Sequence, residues 1–413
     1  MKIAIVPPGT LPLPAVKGGA VESLIDLFEM HNNNNELTIF SIYDPEIKNI
    51  GSSNYVYFKI PIYIKLLDKI IFKIAKNVVH LNKPTSYRYL AQRLYFINKV
   101  SNYLYKNDFD RVVLENHETL LLALKRHRNY KKYKGKYYYH MHNTFNNFYG
   151  CKNILLNSAA IIGVSNYILS TLPDDIKKRV PLVKLENRVD ENKFNGQISS
   201  EEKDNYRKRF DLKNKKVILF SGRFNKEKGI DKLLNAWKKA NPKNSDLLLV
   251  GSAFFKSGAH SAFQESIEKI AKSMKNVKFT GFIDYKEMPK LYALADIVVL
   301  PSVWNDPAPL TVIETLTSHK PLITTNSGGI SEYAKGNAII LERDTKLVDN
   351  LAGYLQKIDK QSISTTSINK TWLSKDYYDK FISILNCNGA SLKNIEWKDE
   401  KAAVEAKYAK NGQ

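Results

Sequence analysis

Asp306 and Glu314 stand eight positions apart in the stretch Pro301–Glu332, around a proline-containing loop that closes on Gly328, Gly329 and Glu332. An apolar run, Ile297–Leu300, leads straight into that loop. In an open α/β sheet a ligand sits beyond the carboxyl ends of the strands, where loops meet helix N-termini. Acids and backbone amides at such a place can grip a polar, phosphorylated ligand. If Pro309–Thr311 opens a helix, Glu314 falls in its first turns, where a carboxylate can accept two ribose hydroxyls. A second set lies upstream: Gly222-Arg223 ends the apolar run Val217–Ser221, and Lys228-Gly229 opens the next helical pattern. Glycine after a strand permits a tight turn. A helix N-terminus offers free N–H groups and a partial positive charge to phosphate. Arg223 can fork onto a phosphate and Lys228 adds a point charge, each contact worth about 1.5–3 kcal/mol.

Less specific signals accompany these. Gly18-Gly19, with Glu22, follows the run Lys2–Val6 and suits close backbone approach to a phosphate or an acceptor. His142 follows Lys136–His140 and His117 follows Arg111–Leu114, both at the carboxyl edge of the first half; His140 competes with His142. Gly251 and Gly281 end two further strands, and main-chain groups at Phe282–Asp284 are placed to read a base edge. Each has a plainer reading: a tight turn, a solvated cation, an acid steadied by a helix dipole, a hydrogen-bonded loop histidine.

The elements that must position these residues alternate along the chain. Strands are expected at Lys2–Val6, Glu36–Ile42, Arg111–Leu114, Lys136–His140 and Ala160–Val164. A second series runs Val217–Ser221, Asp246–Val250, Val277–Thr280, Ile297–Leu300, Leu322–Thr324 and Ala338–Leu341. Helical patterns such as Gly229–Ala240, Gln264–Met274 and Tyr285–Ala293 separate them. Such alternation predicts an α/β fold with two Rossmann-like domains, their parallel sheets facing a central cleft. The apolar pattern lapses over Asn187–Glu202, so the domains are drawn as 1–190 and 191–370. Residues 371–413 are read as a helix packing back on the first domain plus a polar tail that includes the Ala/Lys/Glu-rich Lys398–Lys410. A length of 413 residues and a hydrophobic share of 43% suffice for two real cores. No run approaches the roughly 20 apolar residues of a membrane span. The start reads as a strand and loop rather than a signal peptide. Cys151 and Cys387 are far apart and suggest no disulfide framework or zinc site. A cytoplasmic protein is expected.

The stretch 301–332 resembles the donor-binding signature of the retaining glycosyltransferase family 4, an acid, seven residues, then a glutamate; Asp306 stands where that family usually has the first glutamate. Gly222-Arg223 with Lys228-Gly229 resembles its phosphate-gripping pattern, and Gly18-Gly19 its first-domain glycine loop. The resemblance runs from Met1 to about Leu385. It implies the GT-B fold and transfer of a sugar, with retention, from a nucleotide-sugar (a UDP-sugar above all) to a glycan, lipid-linked or protein acceptor. A bacterial surface polysaccharide is the expected product. It also implies residue roles. Arg223 and Lys228 hold the diphosphate, Glu314 the ribose, and Asp306 with His142 the sugar. The loop at Ala308, Pro309, Leu310 and Thr311 meets sugar hydroxyls and diphosphate, Pro309 donating no N–H, and Gly222, Gly251 and Phe282 border the nucleotide. No metal or other cofactor is expected, because Arg223 and Lys228 take the place of a divalent cation. Ser165, Asn187 and Asp190 match family landmarks at the hinge and cleft wall, although Arg188 stands where glycine commonly follows the asparagine. A non-catalytic partner subunit of glycosyltransferase type is the alternative.

The net charge of +22 calls for anionic partners or reflects a composition rich in Lys, Asn, Ile and Tyr. Over 62–80, Lys65, Lys69, Lys73 and Lys76 fall at helical spacing beside Ile62, Leu66, Ile70 and Ile74, the pattern of a basic amphipathic helix at an anionic membrane surface. A second cluster, 125–136, interleaves cations with Tyr130 and Tyr133. Both are expected to hold the protein on the inner face of the cell membrane. No nucleic-acid-binding module pattern accompanies them, so no nucleic-acid partner is expected.

Overall fold

The computed structural model describes residues 1–48, 52–77, 88–214, 216–251, 262–360 and 372–387. Two units compose the chain: Met1–Glu186 joined by the segment from Lys375, and Asn187–Ser374. In the first, β1 (Lys2–Val6), β2 (Glu36–Ile42), β3 (Tyr55–Phe58), β4 (Arg111–Glu115), β5 (Tyr137–Met141), β6 (Ala160–Gly163) and β7 (Leu182–Lys184) form a parallel sheet. Their spatial order is β3-β2-β1-β4-β5-β6-β7. In the second, β8 (Lys216–Ser221), β9 (Ser245–Val250), β10 (Val277–Gly281), β11 (Ile297–Leu300), β12 (Leu322–Thr325) and β13 (Ile339–Leu341) form another, ordered β10-β9-β8-β11-β12-β13. Each order reverses once, between β1 and β4 and between β8 and β11. Such switch points are where open parallel sheets take their ligands.

The strands are continuous apolar runs because helices cover both faces. All of Tyr137–Met141 and Ile297–Leu300 is buried. Helix Ile230–Ala240 places Leu233, Leu234 and Trp237 in the second core, where each large side chain contributes roughly 1.5–3 kcal/mol. In the first unit, helix Ser374–Asn386 lays Tyr377 and Phe381 on Phe28, with ring centroids 5.0 and 4.0 Å apart.

Several boundaries differ from those expected. β3 and β7 carry no clear sequence signal because they are short edge strands, β3 mostly half-buried. β4 continues to Glu115 and β5 runs from Tyr137 to Met141, which puts Glu115 in register with His140. The pattern over Tyr285–Ala293 resolves into a single 3-10 turn, Tyr285–Glu287, and helix Met288–Leu294, with Pro289 in the first turn. Val78–His80 and Lys398–Lys410 lie outside the described residues. Among the described residues no helix is long and apolar enough to cross a membrane.

Candidate functional site

The switch point of the second sheet brings acids and cations together. Past β8, the Gly222 N–H donates to Val250 O at 3.1 Å, and the Gly251 N–H donates to Gly281 O at 3.3 Å. A Cβ on Gly251 would stand 2.0 Å from Gly222 O, so glycine is what lets the ends of β8 and β9 meet. Arg223 then stands half exposed, 3.8 Å from Glu227. Asn225 Oδ1 accepts the Lys228 N–H at 3.1 Å and caps the 3-10 turn Lys226–Lys228. The expected helix opening at Lys228-Gly229 is corrected here: Gly229 adopts a left-handed conformation and the helix begins at Ile230. A Cβ on Gly229 would lie 1.9 Å from Pro301 O, so the turn presses against the loop after β11. The Glu227 carbonyl seals that seam, accepting from Val303 N–H (2.9 Å), Trp304 N–H (3.2 Å) and Ser302 Oγ (3.1 Å).

Lys228 Nζ thereby reaches Asp306 Oδ2 at 2.5 Å, across 78 positions of sequence. The loop bearing Asp306 is held by the glycine pair: the Gly329 N–H donates to Asp306 O at 2.8 Å, and a Cβ on Gly328 would stand 2.6 Å from that oxygen. Lys228, Asp306, Pro309 and Thr311, with Ser221 and Ser302, line a small recess. Helix Leu310–Thr317 begins beside it, after Pro309, and no side chain caps its N-terminus. Free N–H groups there favour an anion. Ala308 contributes its carbonyl to Asn187 Nδ2 at 3.5 Å.

Glu314, one turn into the helix, is buried. Its Oε1 accepts the Tyr285 hydroxyl at 2.8 Å and its Oε2 the Tyr292 hydroxyl at 2.7 Å. Burial pushes its pKa up, and the two hydroxyls offset part of the shift. Each oxygen retains a second lone pair for a further donor. Phe282 is exposed just beyond Gly281.

The first unit contributes a different group at the carboxyl edge of β4 and β5. His140 pairs in register with Glu115, and His142, two residues on, emerges on the same face of the strand. Glu115 Oε2 lies 3.0 Å from His142 Nε2 and 2.9 Å from His140 Nδ1, all three side chains being buried. Burial alone would raise the Glu115 pKa; the two imidazoles outweigh it and hold it at about 2. Burial, with His140 adding to it, lowers His142 to about 4. An ionised carboxylate only accepts, so neutral His142 donates through Nε2 and keeps Nδ1 as an acceptor. These ligand atoms lie within 4.8 Å of one another, near enough to hold a metal ion. The Glu115–His142 contact is a hydrogen bond, whereas both ring nitrogens of His140 and Glu115 Oε1 are buried without a hydrogen-bond partner among the described residues.

His117 has a local task instead: its Nε2 accepts from Arg93 Nη1 at 2.6 Å, which leaves Nδ1–H to donate to Thr119 Oγ1 at 2.9 Å. Gly18 and Gly19 both have positive φ, and helix Ala20–His31 starts at Gly19. A Cβ on Gly19 would meet Glu22 Oε2 at 2.2 Å, whereas Gly18 faces open space. Burial raises Glu22 to about 7. Ser165 caps helix Asn166–Ser170 through Ile168 N–H. Of the second basic cluster, Tyr133 is buried, and Lys132 Nζ is held by the carbonyls of Leu104, Tyr105 and Asn107.

Sequence reading missed Glu115, Tyr285, Tyr292, Ser221 and Ser302. Tyr285 and Tyr292 had a usable signal, a seven-residue spacing that shares a helix face. Glu115 had half of one, an acid closing an apolar run.

Comparison with known proteins adds the class. Residues 202–370 match the family model of glycosyl transferases group 1. A Bacillus subtilis protein named provisionally as the glycosyltransferase YtcC is 26% identical over 382 residues, covering 90% of this chain and 85% of its own. The lipopolysaccharide 1,2-N-acetylglucosaminetransferase of Salmonella typhimurium is 28% identical over 121 residues, 28% of this chain and 32% of that one. Anabaena HepE, solved in complex with UDP and glucose, aligns with 93% of this chain and 99% of its own at a TM-score of 0.58 and 17% identity, a likeness of fold. Over residues 202–370 the Asn187–Ser374 unit is therefore similar to the group 1 glycosyltransferases, in a chain with the GT-B fold of two Rossmann-like α/β units.

Proposed function

We propose that the protein transfers a sugar, with retention, from a nucleotide-sugar, most simply a UDP-sugar, to a glycan or lipid-linked acceptor in surface polysaccharide synthesis. The carrying observation is the meeting of Lys228 and Asp306 beside the uncapped N-terminus of helix Leu310–Thr317. A cation, an acid and free amides share one recess, as a sugar diphosphate requires. In this reading the diphosphate draws Lys228 away from Asp306 and takes Arg223 as a second cation. Asp306 is freed to accept a sugar hydroxyl. Gly222 and Gly251 leave room for the nucleotide, Phe282 lies against the base, and Glu314 takes the ribose on its remaining lone pairs. Amides of Leu310 and Thr311, with the Ala308 and Pro309 backbone, border the diphosphate and sugar. In the first unit His142 keeps Nδ1 to accept a hydroxyl, and Gly18-Gly19 permit close backbone approach.

As the C1–O bond to the diphosphate breaks, negative charge grows on the leaving oxygen, where Arg223 and Lys228 stabilise it. The acceptor oxygen bonds C1 on the same face, and its proton passes to the departing phosphate. The two cations supply the countercharge that a divalent ion would otherwise give.

Saturation-transfer NMR against UDP-, GDP- and dTDP-sugars, with EDTA present, tests this. One nucleotide-sugar family binds, and Arg223→Ala, at an exposed side chain, abolishes that binding without unfolding the protein. Absence of binding to every donor would favour the non-catalytic partner reading.

A further inference from the structure

The helix Ile62–Asn77 carries large apolar side chains on its outward face. Ile62, Tyr63, Leu66, Leu67, Ile70 and Ile74 are between 44% and 76% exposed. At 3.6 residues per turn they occupy a single arc of about 140°. Opposite that arc, Ala75 and Asp68 are buried, with Ile64, Ile71 and Phe72 half-buried beside them. Asp68 is fixed there by use, since its carboxylate accepts the backbone N–H groups of Ala91 (2.7 Å) and Gln92 (3.0 Å) and so caps helix Leu90–Lys106. The helix cannot turn its apolar arc inward without uncapping its neighbour.

Lys65, Lys69 and Lys73 are exposed and form a row along one flank of the apolar arc. Asp68, the acid of this helix, is committed to the cap, so the outward face offers apolar carbon and positive charge. Large contiguous exposed apolar surface marks an interaction site. A protein partner would balance such a patch with a mixed polar rim; a one-sided lysine row beside bulky aliphatic side chains matches the boundary of an anionic bilayer, acyl chains below and headgroups beside. We infer that this helix docks the first unit on an anionic phospholipid surface, with Tyr63, Leu66, Ile70 and Ile74 entering the acyl boundary and Lys65, Lys69 and Lys73 at the headgroups. Of the two basic segments, this one does the docking: in 125–136 Tyr133 is in the core and Lys132 is bound to carbonyls. The inference concerns the first unit alone and stands whichever donor the second unit takes.

Co-sedimentation of the full chain with phosphatidylglycerol–phosphatidylcholine vesicles, compared with pure phosphatidylcholine, is the test. Binding to the anionic vesicles exceeds binding to neutral ones at least tenfold and weakens in high salt. Replacing Lys65, Lys69 and Lys73 with Gln lowers the partition coefficient by about fivefold per lysine, the worth of one cation at an anionic leaflet. Replacing Leu66, Ile70 and Ile74 with Gln lowers it tenfold or more at unchanged circular dichroism. A Tyr63→Trp variant, otherwise wild type, reports the helix itself: its emission moves to the blue on anionic vesicles. No shift at Trp, or equal pelleting with both vesicle types, or none with either, overturns the inference. So does a stable dimer by light scattering that ignores vesicles and is dissociated by the apolar triple variant, since a second copy then covers the face.

Discussion

At Lys228 one side chain answers to two partners. It is paired with Asp306 at 2.5 Å, both side chains largely shielded from water, so the pair balances charge in a recess that a phosphate would enter. Neither sequence position hints at the other: 78 residues separate them, and only the ordering of β8 beside β11 brings them together. The same is true of Glu115 and His142, whose link depends on strand register rather than on either local pattern. Local chemistry was legible where it depended on neighbours in sequence, as at Gly222-Arg223. It was illegible where it depended on which strands pair. Glu22 gives a residue-scale prediction. Its folded pKa of about 7 lies above the unfolded 4.5, so the stability it contributes is complete below about pH 4.5 and is lost as pH rises through 7. Gln mimics the protonated acid. Glu22→Gln should therefore match wild type at pH 4 and exceed it by up to about 3 kcal/mol at pH 8, read from urea unfolding. A difference that does not grow with pH would contradict the assignment.

Elements are positioned by close backbone approach at glycines. Gly251 against Gly222 O, and Gly229 against Pro301 O, each bring main chain nearer than any Cβ allows. Substituting Ala at either should destabilise the second unit by about 2 kcal/mol or more, since strained φ adds to steric clash. Gly18→Ala, whose Cβ would find open space at φ 70, should cost only the conformational part, about 1–2 kcal/mol. Denaturant midpoints for the three variants decide; equal costs would mean the close approaches relax freely. The central strands could be read from sequence because burial on both faces leaves an unbroken apolar run. Edge strands were read unevenly: β10 and β13 were expected, whereas β3, mostly half-buried, and β7, three residues long, were not. The Ile62–Asn77 helix shows the limit of periodicity. Its amphipathic pattern was plain, but which face met the protein was settled by Asp68 reaching the N-terminus of the next helix.

At the scale of the whole molecule, two sheets with the same kind of strand order divide the work. The second presents cations and free amides at its switch point. The first presents a neutral histidine braced by a carboxylate and, on a separate helix, the apolar and basic face argued to meet lipid. The net charge of +22 fits the anionic donor and the anionic lipid surface proposed above. The second unit's part in this division depends on its holding a sugar diphosphate through Lys228. Titration calorimetry of UDP, with EDTA present, on wild type, Lys228→Ala and Asp306→Asn measures that directly. The account predicts that Lys228→Ala weakens binding tenfold or more, the loss of a charge-assisted contact of about 1.5–3 kcal/mol. Asp306→Asn, which releases Lys228 from its internal partner, should leave UDP binding equal or stronger. Equal UDP affinity in wild type and Lys228→Ala would contradict it.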